Sequence, residues 1–80
     1  MSVLIDLDFP VVVDGETVSS VRLRRPVVRD MLRIDIAGCS DAEKELTLFA
    51  NLCEMTKESL ENLDLSDYAK LQRAYQDFLS

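Results

Sequence analysis

The sequence has no histidine and no tryptophan, only two glycines, two prolines and two cysteines, and aromatic side chains make up 6% of its 80 residues. Each shortage removes a class of function. Without histidine the usual general base at neutral pH is missing, and neither Cys39 nor Cys53 has an imidazole to activate its thiol. Gly15 and Gly38 each read as punctuation, which leaves no glycine-rich loop to cradle a phosphate. Asp6 and Asp8 could touch a cation from one strand face, but two carboxylates alone make a weak calcium site. The two cysteines form neither a zinc set nor a disulfide framework, so two reduced thiols are expected, with Cys53 in the core. No apolar run approaches the roughly 18 residues of a membrane span. The N-terminal MSVLIDLDF has no basic region followed by a long apolar one, so no signal peptide is expected and the cytoplasm is the expected location. The composition therefore points away from an enzyme and away from any cofactor or metal.

What the chain does have is acid and apolar surface. The net charge is −6 and 48% of the residues are hydrophobic. Residues 1–21 carry a net −4, residues 22–40 a net +3 and residues 41–80 a net −5. One basic patch thus sits on an acidic body, which makes a poor general nucleic-acid binder, because phosphate affinity rests on clustered Lys and Arg. A chain of this size is expected to form one domain, residues 1–80, with a net stability of roughly 3–5 kcal/mol from its single core. Marginal stability with a generous apolar fraction favours partner binding or self-association.

Along the chain, Val3, Ile5, Leu7 and Phe9 alternate with Leu4, Asp6 and Asp8, the period of an amphipathic strand. Pro10 implies an edge, a bulge or a break. Val11, Val12 and Val13 lead into Asp14-Gly15, a strong hairpin signal between two β-prone runs. On the return strand Val18 and Val21 are three apart, and a bulge at Ser19-Ser20 would restore both to one face. Pro26 suits a first helical position, so helix 1 is expected over Pro26–Ala37 with Gly38 as its C-cap. Its apolar stripe is Val27, Val28, Met31, Leu32 and Ile34 or Ile36, and Arg29, Asp30 and Arg33 mark its polar side.

Ser40-Asp41-Ala42-Glu43 fits a capping box, which starts helix 2 near Asp41 and carries it to Cys53 or Glu54. Helix 2 is apolar nearly all round and so is expected to be central or part of an interface. Thr56 opens a short third helix. Ser66 can cap the last one, with Asp67 placed to suit the positive end of the helix dipole. The expected fold class is α+β: an N-terminal β-hairpin over residues 1–25, then about four short helices over residues 26–80.

Two surfaces are candidates for a partner. Arg22 and Arg24 share a strand face, while Arg29 and Arg33 lie one helical turn apart. Together they form either a docking surface or a set of charges balancing acids such as Asp30. Tyr68, Leu71, Tyr75 and Phe78 run near helical spacing on the last helix. They either close the core or lie in a partner's groove.

The order of these signals resembles the short tail assembly chaperone family of Mu-like and P2-like contractile-tailed bacteriophages. The matching pieces are Pro10 with Val11-Val12-Val13-Asp14-Gly15, Val21-Arg22-Leu23-Arg24-Arg25-Pro26, and Val28-Arg29-Asp30-Met31. Asp41-Ala42-Glu43 with Leu46 and Phe49-Ala50-Asn51-Leu52-Cys53 follow, then Thr56, Leu63-Asp64-Leu65-Ser66-Asp67-Tyr68 and Leu71. The resemblance implies a non-enzymatic assembly factor in the bacterial host cytoplasm. Its partner would be the phage tape measure protein, kept soluble while the tail tube is built. It also implies a possible homo-oligomer and a possible frameshifted longer form of the same protein. Two other readings remain open: a structural subunit of the tail or virion, and a regulatory nucleic-acid-binding module using the Arg22 to Arg33 patch.

Overall fold

The computed structural model describes residues 1–33 and 40–80. Strands β1 (Ser2–Val13) and β2 (Glu16–Arg24) form an antiparallel hairpin. Asp14 and Gly15 carry positive φ, 50° and 82°, as a primed two-residue turn requires so that its twist matches the strands. The register runs from Ser2 opposite Arg24 to Asp6 opposite Ser20, then resumes at Val11 opposite Val18. Leu7, Asp8, Phe9 and Pro10 therefore stand against Ser19 alone. The extra residues lie in β1, and the expected bulge at Ser19-Ser20 is corrected accordingly. The insertion still brings both valines inward, because Val21 opposes Ile5 and Val18 opposes Val11. Pro10, with no N–H to give, sits where the ladder asks for none.

Four helices follow among the described residues: α1 (Val28–Arg33), α2 (Asp41–Cys53), α3 (Lys57–Glu61) and α4 (Leu65–Leu79). Helix α1 starts two residues later than expected, with Pro26 ahead of it. The expected stretch to Ala37, the Gly38 cap and the Cys39 loop lie outside the described residues. Ser40 caps α2 by accepting the Glu43 N–H at 3.2 Å. Helix α2 stops at Glu54, whose φ of 55° is left-handed and whose N–H returns to Ala50 and Asn51 carbonyls. Thr56 caps α3 through the Ser59 N–H at 3.1 Å. The cap of α4 is Asp64 rather than Ser66: its carboxylate accepts the Ser66 N–H at 3.0 Å. A full negative charge at the positive helix end outcompetes a hydroxyl there.

The inner face of the hairpin, Ile5, Leu7, Val21 and Leu23, packs on α2 and α4. Helix α2 is central, as its pattern implied, and buries Leu48, Phe49, Ala50, Leu52 and Cys53. Leu60 and Leu63 close one side, and Leu71 and Phe78 of α4 the other. The Phe49 ring is fully buried and meets Tyr68 and Tyr75, each with ring centroids 5.5 Å away and tilted, which adds about 0.5–1.5 kcal/mol per pair beyond area burial.

Candidate functional site

Helix α1 is turned the wrong way round for a core helix. Its only buried residue is Asp30, and the described part of its apolar stripe faces outward. Val27, Val28, Met31, Leu32 and, from the end of α4, Leu79 are each more than half exposed. The cause is electrostatic. Asp30 accepts two bonds from the Arg24 guanidinium, 2.9 and 3.1 Å, and a third from the Val27 N–H at 2.8 Å. A carboxylate holding three donors is satisfied when buried. It therefore anchors the polar side of α1 to the end of β2, and the apolar side has nowhere to go but outward. The Arg24 hydrogen bonds hold the Asp30 carboxyl below the usual carboxylate range against its desolvation, helped by the Val27 N–H and the charges of Arg24 and Arg33.

Pro26, Val27, Val28 and Met31 line a shallow hollow with Leu79, about 260 Å³ in volume. Arg25 ties its two walls together: its guanidinium lies 5.6 Å from the centre of the Phe78 ring, a cation–π contact. Its backbone N–H also donates to the Met1 carbonyl at 3.0 Å.

The four arginines singled out from the sequence are divided. Arg24 is bound to Asp30, the acid expected to balance the patch. Arg22 stands on the outer hairpin face opposite Leu4 and donates to the Ser2 hydroxyl at 3.0 Å. Arg29 and Arg33 are exposed on α1. The four aromatic and aliphatic candidates of α4 point largely into the protein. Leu71 is fully buried, Phe78 nearly so, and Tyr68 and Tyr75 are half-buried against Phe49. The Tyr68 hydroxyl donates to Glu45 at 2.9 Å, and burial with that carboxylate pushes its pKa up.

Residues of the hollow were assigned by sequence to a stripe without a side. The signal that could have turned them outward is the pairing of Arg24 with Asp30 across the Pro26 corner.

A second polar anchor holds the hairpin to α4. The fully buried Asp67 accepts the N–H groups of Asp8 and Phe9 at 2.9 and 3.0 Å. Those donors are in the inserted part of β1, where β2 offers no partner. Lys70 adds ion pairs to Asp8 at 3.0 Å and Asp67 at 3.3 Å, and donates to the Asp6 carbonyl at 2.9 Å. Desolvation raises the Asp67 carboxyl, but the two N–H groups and Lys70 together outweigh it and leave it lowered. A helix-dipole role, the one read from the sequence, is only part of what this residue does.

As for chemistry, burial pushes the Cys53 thiol up to about 11, which makes it a poor nucleophile. Among the described residues no group of three or more Cys, Asp or Glu side chains could hold a metal ion. No helix among them is long and apolar enough to cross a membrane. What the arrangement supplies is a surface.

Set against known proteins, residues 4–80 match the family described as phage tail assembly chaperone proteins, E, or 41 or 14. No curated protein and no solved structure matches the chain.

Proposed function

The chain belongs to the phage tail assembly chaperone family, and from that premise we propose that it binds the tape measure protein and keeps it soluble while the tail tube assembles. The observation that carries this reading is the outward apolar face of α1 and the end of α4. A monomer gains nothing by keeping Val28, Met31 and Leu32 in water, and contiguous exposed apolar surface marks interaction sites. A tape measure protein is a long helical chain whose apolar stripe needs cover until the tube encloses it. Helix-on-groove packing supplies such cover. Many copies along one client convert weak single contacts into strong retention, and the surplus of acid, −6 per chain, keeps a coated complex apart from its neighbours. The work is non-covalent and takes place in the host cytoplasm.

The test is co-expression with the tape measure protein of the same phage. Soluble tape measure protein that co-purifies with the chain is the expected result. Tape measure protein that stays insoluble, with none retained on the chain, overturns the reading. Finding the chain in mature particles in stoichiometric amounts would favour a resident tail subunit instead.

A further inference from the structure

We propose that two copies of the chain pair antiparallel through the free edge of β2, joining their hairpins into one sheet of strand order β1-β2-β2-β1. The inference stands apart from the chaperone reading and asks nothing of the client.

Three observations carry it. The first is the direction of the main-chain groups in β2. The Arg25 N–H donates to the Met1 carbonyl at 3.0 Å, one step beyond the pairing of Ser2 with Arg24. An antiparallel ladder alternates between bonded and unbonded pairs. Leu23 and Val21 therefore bond across to β1, while Arg24, Arg22 and Ser20 turn their N–H and carbonyl groups away from it. At the other end Val13 and Glu16 close the two-residue loop as a bonded pair, so Thr17 also faces out. Among the described residues, no hydrogen bond from outside the hairpin reaches a main-chain group of Glu16–Arg24. Such a row of main-chain groups accepts an added strand.

The second is the contrast with β1. The Asp8 and Phe9 N–H groups go to Asp67 and the Asp6 carbonyl goes to Lys70, so α4 occupies the middle of that edge. Pairing through β2 then stops at two copies, because each presents only β1 beyond the contact. A contact of this kind is isologous and closed.

The third is the order of charge along β2. Glu16 begins the strand, Arg22 and Arg24 end it, and residues 17–21 between them are uncharged. Antiparallel pairing of the strand with itself sets the acidic end of each copy against the basic end of the other. Parallel pairing would set arginine against arginine. Glu16 and Arg22 are both exposed, and neither holds an ion pair among the described residues. The strand is its own complement in one direction only, which selects a second copy of the chain over an extended segment of another protein.

The experiment is sedimentation of the full chain and its variants at up to roughly 0.5 mM, where contacts with a dissociation constant near 1 mM or tighter become visible. Wild type is expected to show a dimer. Glu16→Arg and Arg22→Glu each turn two attractive contacts into repulsive ones, and each is expected to weaken the dimer roughly tenfold. The double variant Glu16→Arg/Arg22→Glu restores the attraction and is expected to dimerise as wild type does. Thr17→Pro removes an outward N–H from the β2 edge and is expected to be monomeric. Val12→Pro is the matched control, because Val12 is the cross-strand partner of Thr17 and its N–H faces the β1 edge. Hydrogen exchange in α2 reports folding of each variant separately.

A wild type that stays monomeric overturns the proposal. So does a folded Thr17→Pro variant that dimerises as wild type does, or a Val12→Pro variant that loses the dimer to the same degree. Single reversals that weaken the dimer without rescue in the double variant overturn the antiparallel pairing. A monomeric wild type whose retention of tape measure protein is lost in Thr17→Pro alone assigns the edge to a partner's strand, again against the proposal. The chaperone reading survives each of these outcomes, since it is tested by solubility of the client.

Discussion

Asp30→Ala releases α1 from the body of the protein, and the structure sets the size of the effect. The substitution removes two hydrogen bonds from Arg24 and one from the Val27 N–H. Hydrogen bonds to charged groups contribute about 1.5–3 kcal/mol when both partners are shielded. The Asp30 side chain is 4% exposed but that of Arg24 is 40% exposed, so solvent screening cuts the pair's share well below a buried value. A loss of about 1–2 kcal/mol is expected in total, against a net stability of roughly 3–5 kcal/mol. The protein stays folded, and its urea midpoint falls by about 1 M at a slope of about 1–2 kcal/mol per M.

The loss is local as well as global. No other residue of α1 is buried, and a helix this short does not persist unaided. Hydrogen exchange should therefore show lost protection at residues 28–33 while α2 and the hairpin keep theirs. Arg24→Ala is expected to cost more than Asp30→Ala. The arginine left behind by the second change turns to solvent, while the carboxylate left by the first remains enclosed with the Val27 N–H as its one donor. A midpoint for Asp30→Ala equal to wild type, with unchanged exchange in α1, would refute the anchoring argument. So would an Arg24→Ala variant more stable than Asp30→Ala.

Asp67→Asn replaces an acceptor of two N–H groups by one acceptor and one donor, so the docking of Asp8 and Phe9 on α4 weakens and the chemical-denaturation midpoint falls. Because the folded carboxyl lies below its usual 3.8, its contribution is present above that value and lost as pH drops through the folded pKa. The acid limb of a midpoint-against-pH curve should thus be shallower in the variant, and identical limbs contradict the role assigned to this carboxylate. Glu54→Gly relieves the left-handed φ of 55° at the end of α2, and a gain of about 1 kcal/mol is expected in thermal or urea unfolding; a loss argues that the Glu54 side chain matters more than the backbone. Cys53, with its thiol at about 11, is expected to resist alkylation at mildly alkaline pH in the native protein and to react once urea unfolds it. Peptide mapping that finds Cys53 modified equally fast in both states contradicts its burial.

Much of the fold was legible in the sequence because its determinants are local. Asp14-Gly15 needs only its own φ angles to make the hairpin, and Ser40 and Thr56 need only an N–H three residues on to cap their helices. Helix α2 declared its central place by being apolar on too many sides for one neighbour. The misreadings involve choices made over distance. Periodicity told which residues of α1 share a face and was silent on which face meets the body. That was decided by Arg24, on another element. Asp67 reaches back 58 and 59 residues to β1, to donors set free by an insertion that no local signal placed. For the candidate site the outcome is mixed. Arg29 and Arg33 are exposed on α1, Arg24 is engaged with Asp30, Arg22 lies on the outer hairpin face, and Leu71 and Phe78 serve the core. The apolar residues of α1 were noticed as one stripe, with no side assigned to it.

A hairpin of two strands has two open edges, and an open edge is a template onto which another chain can crystallise as a further strand. The second polar anchor answers it on the β1 side. Asp67 occupies the N–H groups of Asp8 and Phe9, Lys70 occupies the Asp6 carbonyl, and Pro10 brings no N–H at all. Along that stretch an incoming strand finds these main-chain groups already taken. The contact that fastens the hairpin to its helix is also a guard on that edge against the addition of another chain's strand.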